Sequence, residues 1–307
     1  MEEKLCFVQF THPGGEHKPD KDTNHKGWNY GRHQRKFLKM QGNYVFGDKL
    51  EQNKTLLFWG EWEPCSETEP ILEKPKGDFP QFIHRPFFDS TFPLSKTNAK
   101  EKIKYRQNTD PYVYGDQFHY CCCKQWKKRK EIPMPTQLAR LSRGSIILFG
   151  STINQNTEFA YFALDTVFVV DKYIEYNAEN FVSKLRGKVS DEYFEITIKS
   201  AYSKTIKEQE DNNKKPEVRC YFGATYDNRV SGMYSFVPCK EFTNNKIGFE
   251  RAKLTNNDFD YISNNLNAAP KMNPTDKIND NVLRWNLLRD FIKNKGFYEG
   301  VRFDFNK

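Results

Sequence analysis

Apolar positions along this chain recur with a period of two, or in short unbroken runs, more often than with helical spacing, so strands dominate the reading. The first run, FVQFTH from Phe7, is a short apolar strand that breaks at Pro13-Gly14-Gly15. KFLKMQGNYVFGDKLEQNKTLLFWGEWEP follows and predicts an antiparallel hairpin with a polar turn at Glu51 to Lys54. Gly60 in its second strand suggests a bulge or a close backbone approach that re-aims Glu61 and Glu63. SIILFGS is a fully buried strand after an Arg143-Gly144 turn, and EFAYFALDTVFVV (Glu158 to Val170) is the strongest strand signal. Pairing of these two across TINQN places them at the centre of an N-terminal sheet. Cys220 to Thr225 and Met233 to Pro238 predict two more strands. Helical spacing is confined to the short segments Gln137 to Leu141 and Ala178 to Leu185, and to Asn257 to Leu266 and Asn281 to Asn294. The last of these carries Val282, Trp285, Leu288 and Ile292 on one face.

Two stretches interrupt the pattern. Between Pro64 and Tyr105 the prolines at 64, 70, 75, 80, 86 and 93 forbid a long regular element. Phe79, Phe82, Phe87, Phe88 and Phe92 still need burial, which makes the stretch an ordered excursion. Thr205 to Pro216, TIKEQEDNNKKP, is the most polar segment and marks an exposed loop or a boundary. The expected fold is therefore α+β: a mixed or barrel-like β-sheet core, with helices concentrated in the C-terminal region. Residues 1–204 form a β-rich domain carrying the site, and residues 217–307 an α+β region, separate or packed into the same domain. Length does not choose between these, because 307 residues suit one large domain or two ordinary ones.

Composition adjusts this picture in a few places. Only 37% of residues are hydrophobic yet 15% are aromatic, so the core is built of Phe and Tyr, which again favours strands. A net charge of +8 permits nucleic acid as a partner without demanding it. No apolar run reaches membrane-span length, and the start MEEKLCF lacks the basic and apolar regions of a secretory signal, so no membrane partner and a cytoplasmic location are expected. Seven cysteines, an odd number with three consecutive at Cys121 to Cys123, fit reduced thiols rather than a disulfide framework.

The chemistry concentrates between Phe7 and Lys36. His12 and His17 flank a glycine pair, and His25, Trp28, Arg32, His33, Arg35 and Lys36 follow within one loop-rich segment. Glycine lets backbone N–H groups approach an anion and the cations supply charge, so Gly14, Gly15, Trp28, Arg32, His33, Arg35 and Lys36 are candidate ligand- and phosphate-binding residues. The ordinary alternative is a long surface loop with solvated histidines. On the tryptophan-rich strand, Glu61 and Glu63 share a face opposite Trp62. They join His12 and His17 as acid–base candidates, with Trp59 and Trp62 as stacking surfaces. A half-exposed strand with a polar outer face explains the same residues. His84 and His119 sit in aromatic surroundings, where a core histidine is the commoner outcome.

No metal is expected and the cofactor is left unknown. The His12–His17 spacing matches no defined zinc pattern, and consecutive cysteines on a strand point to opposite faces and cannot chelate one ion. The basic clusters Arg32 to Lys36 and Lys124 to Lys130 alternate with aromatics, as on a surface that tracks a phosphate backbone, or form an ordinary solvated face. Phosphate-loop, nucleophile-elbow and dinucleotide fingerprints are all missing from the sequence.

The order of a GD-containing strand (Gly47-Asp48), a tryptophan-rich strand and a buried GSIILFGS strand resembles small barrels of the PUA and ASCH type, over roughly the first half of the chain. Those barrels read nucleic acids. The leading expectation is an intracellular protein that binds a nucleotide or nucleic acid and processes it, as a nuclease, glycosylase or nucleotide hydrolase would. The alternatives are an NAD-consuming or nucleotidyl- or ADP-ribosyl-transferring enzyme, and a non-enzymatic interaction module.

Overall fold

The computed structural model describes residues 2–19, 34–72, 79–89, 97–98, 103–104, 108–130, 132–202, 217–243, 248–266 and 269–305. Its fold is mixed and mostly strand. In chain order the strands are β1 (Cys6–His12), β2 (Lys36–Phe46), β3 (Lys49–Gly60), β4 (Ser66–Pro70), β5 (Phe82–Pro86), β6 (Thr97–Asn98), β7 (Ile103–Lys104), β8 (His119–Tyr120) and β9 (Trp126–Arg129). They continue with β10 (Ile132–Pro135), β11 (Ile146–Ile153), β12 (Tyr161–Tyr176), β13 (Val218–Gly223), β14 (Val237–Glu241), β15 (Ala252–Leu254), β16 (Lys271–Pro274) and β17 (Tyr298–Asp304).

One sheet runs β16-β1-β11-β12-β13-β8, with β15 beside β12. The other large sheet runs β17-β14-β3-β2-β5-β4, with β17 also paired to β2, and β9-β10 and β6-β7 form two-stranded sheets of their own. Strands from residues 217–307 are woven into both large sheets.

The first sheet shows why its strands are so apolar. β1 is buried along its whole length, with β16 antiparallel on one side and β11 parallel on the other. Val8, Phe10, Ile147, Phe149, Phe168 and Val170 point into one hydrophobic cluster, whereas Phe7, Ile146, Leu148, Val167 and Val169 point into another. Both faces are covered, so alternation of side chains produces a continuous apolar run. The cluster on one face also takes Leu38, Met40, Leu56 and Phe58 from the second sheet. On the opposite face lie Trp285, Leu288 and Ile292 of the helix Ile278–Asn294. The molecule is thus layered as helix, sheet and sheet, with Phe37, Leu57, Trp59, Ile71 and Ile83 in a smaller cluster on the far face of the second sheet.

The β11–β12 hairpin has Ile146 opposite Val169 and closes across residues 154–160, as the sequence suggested. Other elements differ. The β2–β3 turn lies at Gly47-Asp48, not at Glu51 to Lys54, because those polar residues lie on a solvent-facing part of β3. The bulge falls at Gly42 on β2 rather than at Gly60. A Cβ on Gly42 would sit 2.2 Å from the Arg302 carbonyl oxygen, so the close passage of β17 demands glycine there. Asn257 to Leu266 forms turns that bury Phe259, Tyr261 and Ile262, not a helix. Nor are helices confined to the C-terminal region. Phe181–Leu185 is helical within the expected Ala178 to Leu185, and beyond that expectation Asp191–Tyr193, the π-helical Phe194–Lys199 and Ser200–Tyr202 are helical too. No helix among the described residues is long and apolar enough to cross a membrane.

Candidate functional site

The carboxyl ends of β1 and β11 lie side by side, with His12 opposite Ser151. Beyond them, Gly14 passes so close to β11 that a Cβ would meet the Ser151 Cβ at 2.6 Å. Only glycine fits that approach. Gly15 to His17 then runs parallel to Arg35: the Arg35 N–H donates to the Gly15 carbonyl (2.8 Å), and the His17 N–H donates to the Arg35 carbonyl (2.8 Å). The glycine turn thereby delivers Arg35, the residue before β2, to the seam between the two sheets.

A network of buried charges fills this seam. Arg35 donates from Nη1 to Glu61 Oε2 and from Nε to Asp165 Oδ2, both at 2.8 Å. His12 Nδ1 lies 3.3 Å from the same Glu61 oxygen. Arg251, just before β15, reaches Asp165 Oδ1 at 3.6 Å and donates to Ser151 Oγ (3.2 Å) and the Gly14 carbonyl (2.9 Å), with its guanidinium 5.2 Å from the Trp59 ring centre. Lys124 donates to the Thr11 carbonyl at 2.6 Å and sits over Phe10. His12 contributes from β1, Asp165 from β12, Arg35 and Glu61 from the ends of β2 and β3. The network therefore ties the sheets together through side chains distant in sequence.

Burial sets the protonation states. His12 is driven down to about 3 by loss of water and then by the Arg35 charge, with Glu61 pulling only partly against them. Its imidazole is neutral at pH 7. Burial lowers Lys124 to about 8, close enough to neutrality for a neighbouring anion to decide its charge. Burial also raises Asp165 against the pull of Arg251 and Arg35. For Arg35, burial works against the charged form, but Glu61 and Asp165 outweigh it and raise its pKa.

His12, Glu61, Arg35 and Gly14 come together, and Gly15 positions them. The rest of the proposed set is placed elsewhere. Glu61 and Glu63 do not share one strand face, because β3 ends at Gly60. Glu63 Oε2 instead accepts the Asn108 N–H at 2.5 Å. Lys36, the first residue of β2, is buried and donates to the Pro64 carbonyl (2.9 Å) and Ser66 Oγ (3.3 Å). Ser66 Oγ lies 2.9 Å from His84 Nδ1, and the His84 and His17 rings meet edge to face. Trp59 and Trp62 are core residues, their indole N–H groups donating to the Phe249 and Cys65 carbonyls. Neither offers an open stacking face. The exposed basic cluster expected at Arg32 to Lys36 is overturned at Arg35 and Lys36, both only 1% exposed. Trp28, Arg32, His33 and His25 lie outside the described residues. His84 and His119 are buried, in keeping with core histidines.

The sequence reading passes over Asp165, Arg251 and Ser151, and it places Lys124 in an exposed basic cluster rather than in this network. Asp165 did leave a signal, as the one charge inside the apolar run of β12. Nothing in GFERAKL marks Arg251. Comparison of the chain with protein-family models, curated proteins and solved structures returned no match. The likeness to PUA and ASCH barrels gains no support from them.

Proposed function

We propose that the protein binds a phosphate-bearing ligand, a nucleotide or nucleic acid, at the end of β1, and that His12 and Glu61 take part in its processing. The observation that carries this reading is the convergence of a neutral imidazole, a lysine lowered to about 8 and two guanidiniums where the parallel strands β1 and β11 end. Loops beyond the carboxyl ends of parallel strands are a preferred position for ligands in sheet proteins. A bound phosphate would raise the pKa of His12 and Lys124 together, because an adjacent anion favours both charged forms. Glu61 would then hold the protonated imidazole. The exposed residues Lys127, Arg129 and Lys130 around the β9–β10 turn provide the surface on which a nucleic acid, as opposed to a free nucleotide, would be read. A barrel-like arrangement of the second sheet belongs to the same proposal, supported by the circuit of pairings β2-β3-β14-β17-β2. So does a cytoplasmic setting, which suits a chain whose seven cysteines are all thiols outside any disulfide.

The competing reading is that the network only fastens the two sheets. Calorimetric titration with nucleoside mono-, di- and triphosphates and with short oligonucleotides separates the two. Binding by the wild type, weakened at least tenfold in Lys124→Met with a melting temperature within a few degrees of wild type, is the expected result. Absence of binding to every one of these probes, or unchanged affinity in Lys124→Met, would leave the network as a fastening alone.

A further inference from the structure

Asp110 is fully buried, yet among the described residues no lysine or arginine pairs with it. Its carboxylate is held by the backbone N–H groups of three consecutive cysteines: Cys121 donates to Oδ1, and Cys122 and Cys123 donate to Oδ2, each at 2.9 Å. The Tyr193 hydroxyl adds a contact at 3.3 Å. The expectation that these cysteines alternate along a strand fails. β8 ends at Tyr120, and the chain then curls around Asp110 to Lys124, whose φ is +59°. The curl brings the Cys122 and Cys123 thiols to the same side as the carboxylate. Donor atoms of Asp110, Cys122 and Cys123 all lie within 4.8 Å of one another. Asn108 brackets the group, with Nδ2 3.0 Å from Cys123 Sγ and Oδ1 3.6 Å from Cys122 Sγ.

We propose that Asp110, Cys122 and Cys123 form a binding site for one thiophilic divalent cation of the zinc type. Ligand distances of 2.0–2.3 Å around a tetrahedral ion put donors roughly 3.3–3.8 Å apart, so the observed spacing closes by about 1 Å through rotation of two half-buried thiols. Two thiolates and a carboxylate are a suitable donor set, and water or the Asn108 carbonyl oxygen fills the fourth position. On loading, two S–H bonds break and two metal–sulfur bonds form; both protons go to solvent and no atom changes oxidation state. The three consecutive cysteines and the distant Asp110 are then explained together.

The test uses the full-length, reduced protein and Cd2+ as the probe. One equivalent should produce a thiolate-to-cadmium charge-transfer band in the ultraviolet. It should also protect Cys122 and Cys123 from alkylation, read peptide by peptide in the mass spectrometer. Cys122→Ser/Cys123→Ser should lose the band, Asp110→Asn should weaken binding at least tenfold, and Cys65→Ser should behave as wild type. The proposal is overturned if the wild type gives no band, if the double variant binds as wild type does, or if protection falls on Cys6, Cys220 or Cys239 instead. The protection measurement needs no variant, so it decides the matter even where the double variant misfolds.

Discussion

Asp165 and Asp110 are both buried carboxylates, and the chain handles them in opposite ways. Asp165 is balanced by the side chains of Arg35 and Arg251, which come from just before β2 in one sheet and just before β15 in the other. Asp110 is balanced by the N–H groups of one tight turn only eleven to thirteen residues away in sequence. The first arrangement closes over long sequence separations and carries full charges on both partners. The second is local and supplies only partial charges. Burial raises the pKa of both aspartates, so neither set of partners fully replaces lost water. A side-chain network is therefore rigid but fails abruptly when one member is deleted, whereas a backbone cradle degrades gradually and retains appetite for a cation.

The sharpest way to break this contrast is Arg35→Met. Removing one partner leaves Glu61 and Asp165 buried without the counter-charge they share, a loss of about 3–5 kcal/mol for a dismantled buried ion pair. Urea denaturation should show this loss, and Arg35→Met/Glu61→Gln/Asp165→Asn should recover a large part of it. An Arg35→Met variant as stable as wild type would mean that water reaches the network and that its charges are not energetically linked.

Asp110→Asn sharpens the other side. The amide keeps the shape and one acceptor, but turns an N–H group toward backbone donors. The expected cost is about 1.5–3 kcal/mol, the range for hydrogen bonds to a charged group. Should Asp110→Asn cost more than Arg35→Met in the same denaturant series, the ranking of the two regions is reversed.

This contrast also explains how much was legible in the sequence. The β11–β12 hairpin and the helix Ile278–Asn294 could be read because burial imposes a period on their residues. The pairing of His12 with Glu61 was accessible from the strand end at Pro13 and the acidic residue after Trp59. Its character was not. The ordinary alternatives were a solvated loop and a half-exposed strand, yet the two residues are only 7% and 5% exposed. Exposure depends on which strands cover the end of β1, and β15 and Arg251 arrive from more than two hundred residues away. Similarly, polar Glu51 to Lys54 resembled a turn because exposure on a strand and exposure in a turn select the same residues. The Cys121 to Cys123 cradle was hidden for a different reason: a hydrophobic-looking triplet gives no sign that its backbone amides, rather than its side chains, hold Asp110.

Per pH unit, the smallest expected effect is that of a single histidine, and one belongs to each region. His12 sits in the side-chain network, and His119 packs among Tyr112, Tyr193 and Phe222 beside the cradle. Burial drives each of them down to about 3, and lowers His84 as well. An unfolded histidine takes up its proton near pH 6.5, whereas these remain neutral in the folded protein until about pH 3. The unfolded state therefore binds more protons throughout that window, and stability falls as the pH drops from about 6.5 toward 3. The slope is about 1.4 kcal/mol per pH unit for each such histidine. Asp110 and Asp165 act with the opposite sign. Their raised values let the folded state take protons first above pH 3.8, so the net slope is shallower than three histidines alone would give. Urea denaturation at pH 6.5, 5.5 and 4.5 measures it directly. His119→Phe, which fills an aromatic pocket with an aromatic ring, should remove about one histidine's increment while leaving the protein folded at pH 7. In Arg35→Met the first increment should also shrink, because the guanidinium that helps to keep His12 neutral is gone. A slope unchanged in His119→Phe would show that this imidazole titrates in the folded state and that the aromatic surroundings of the cradle are open to water.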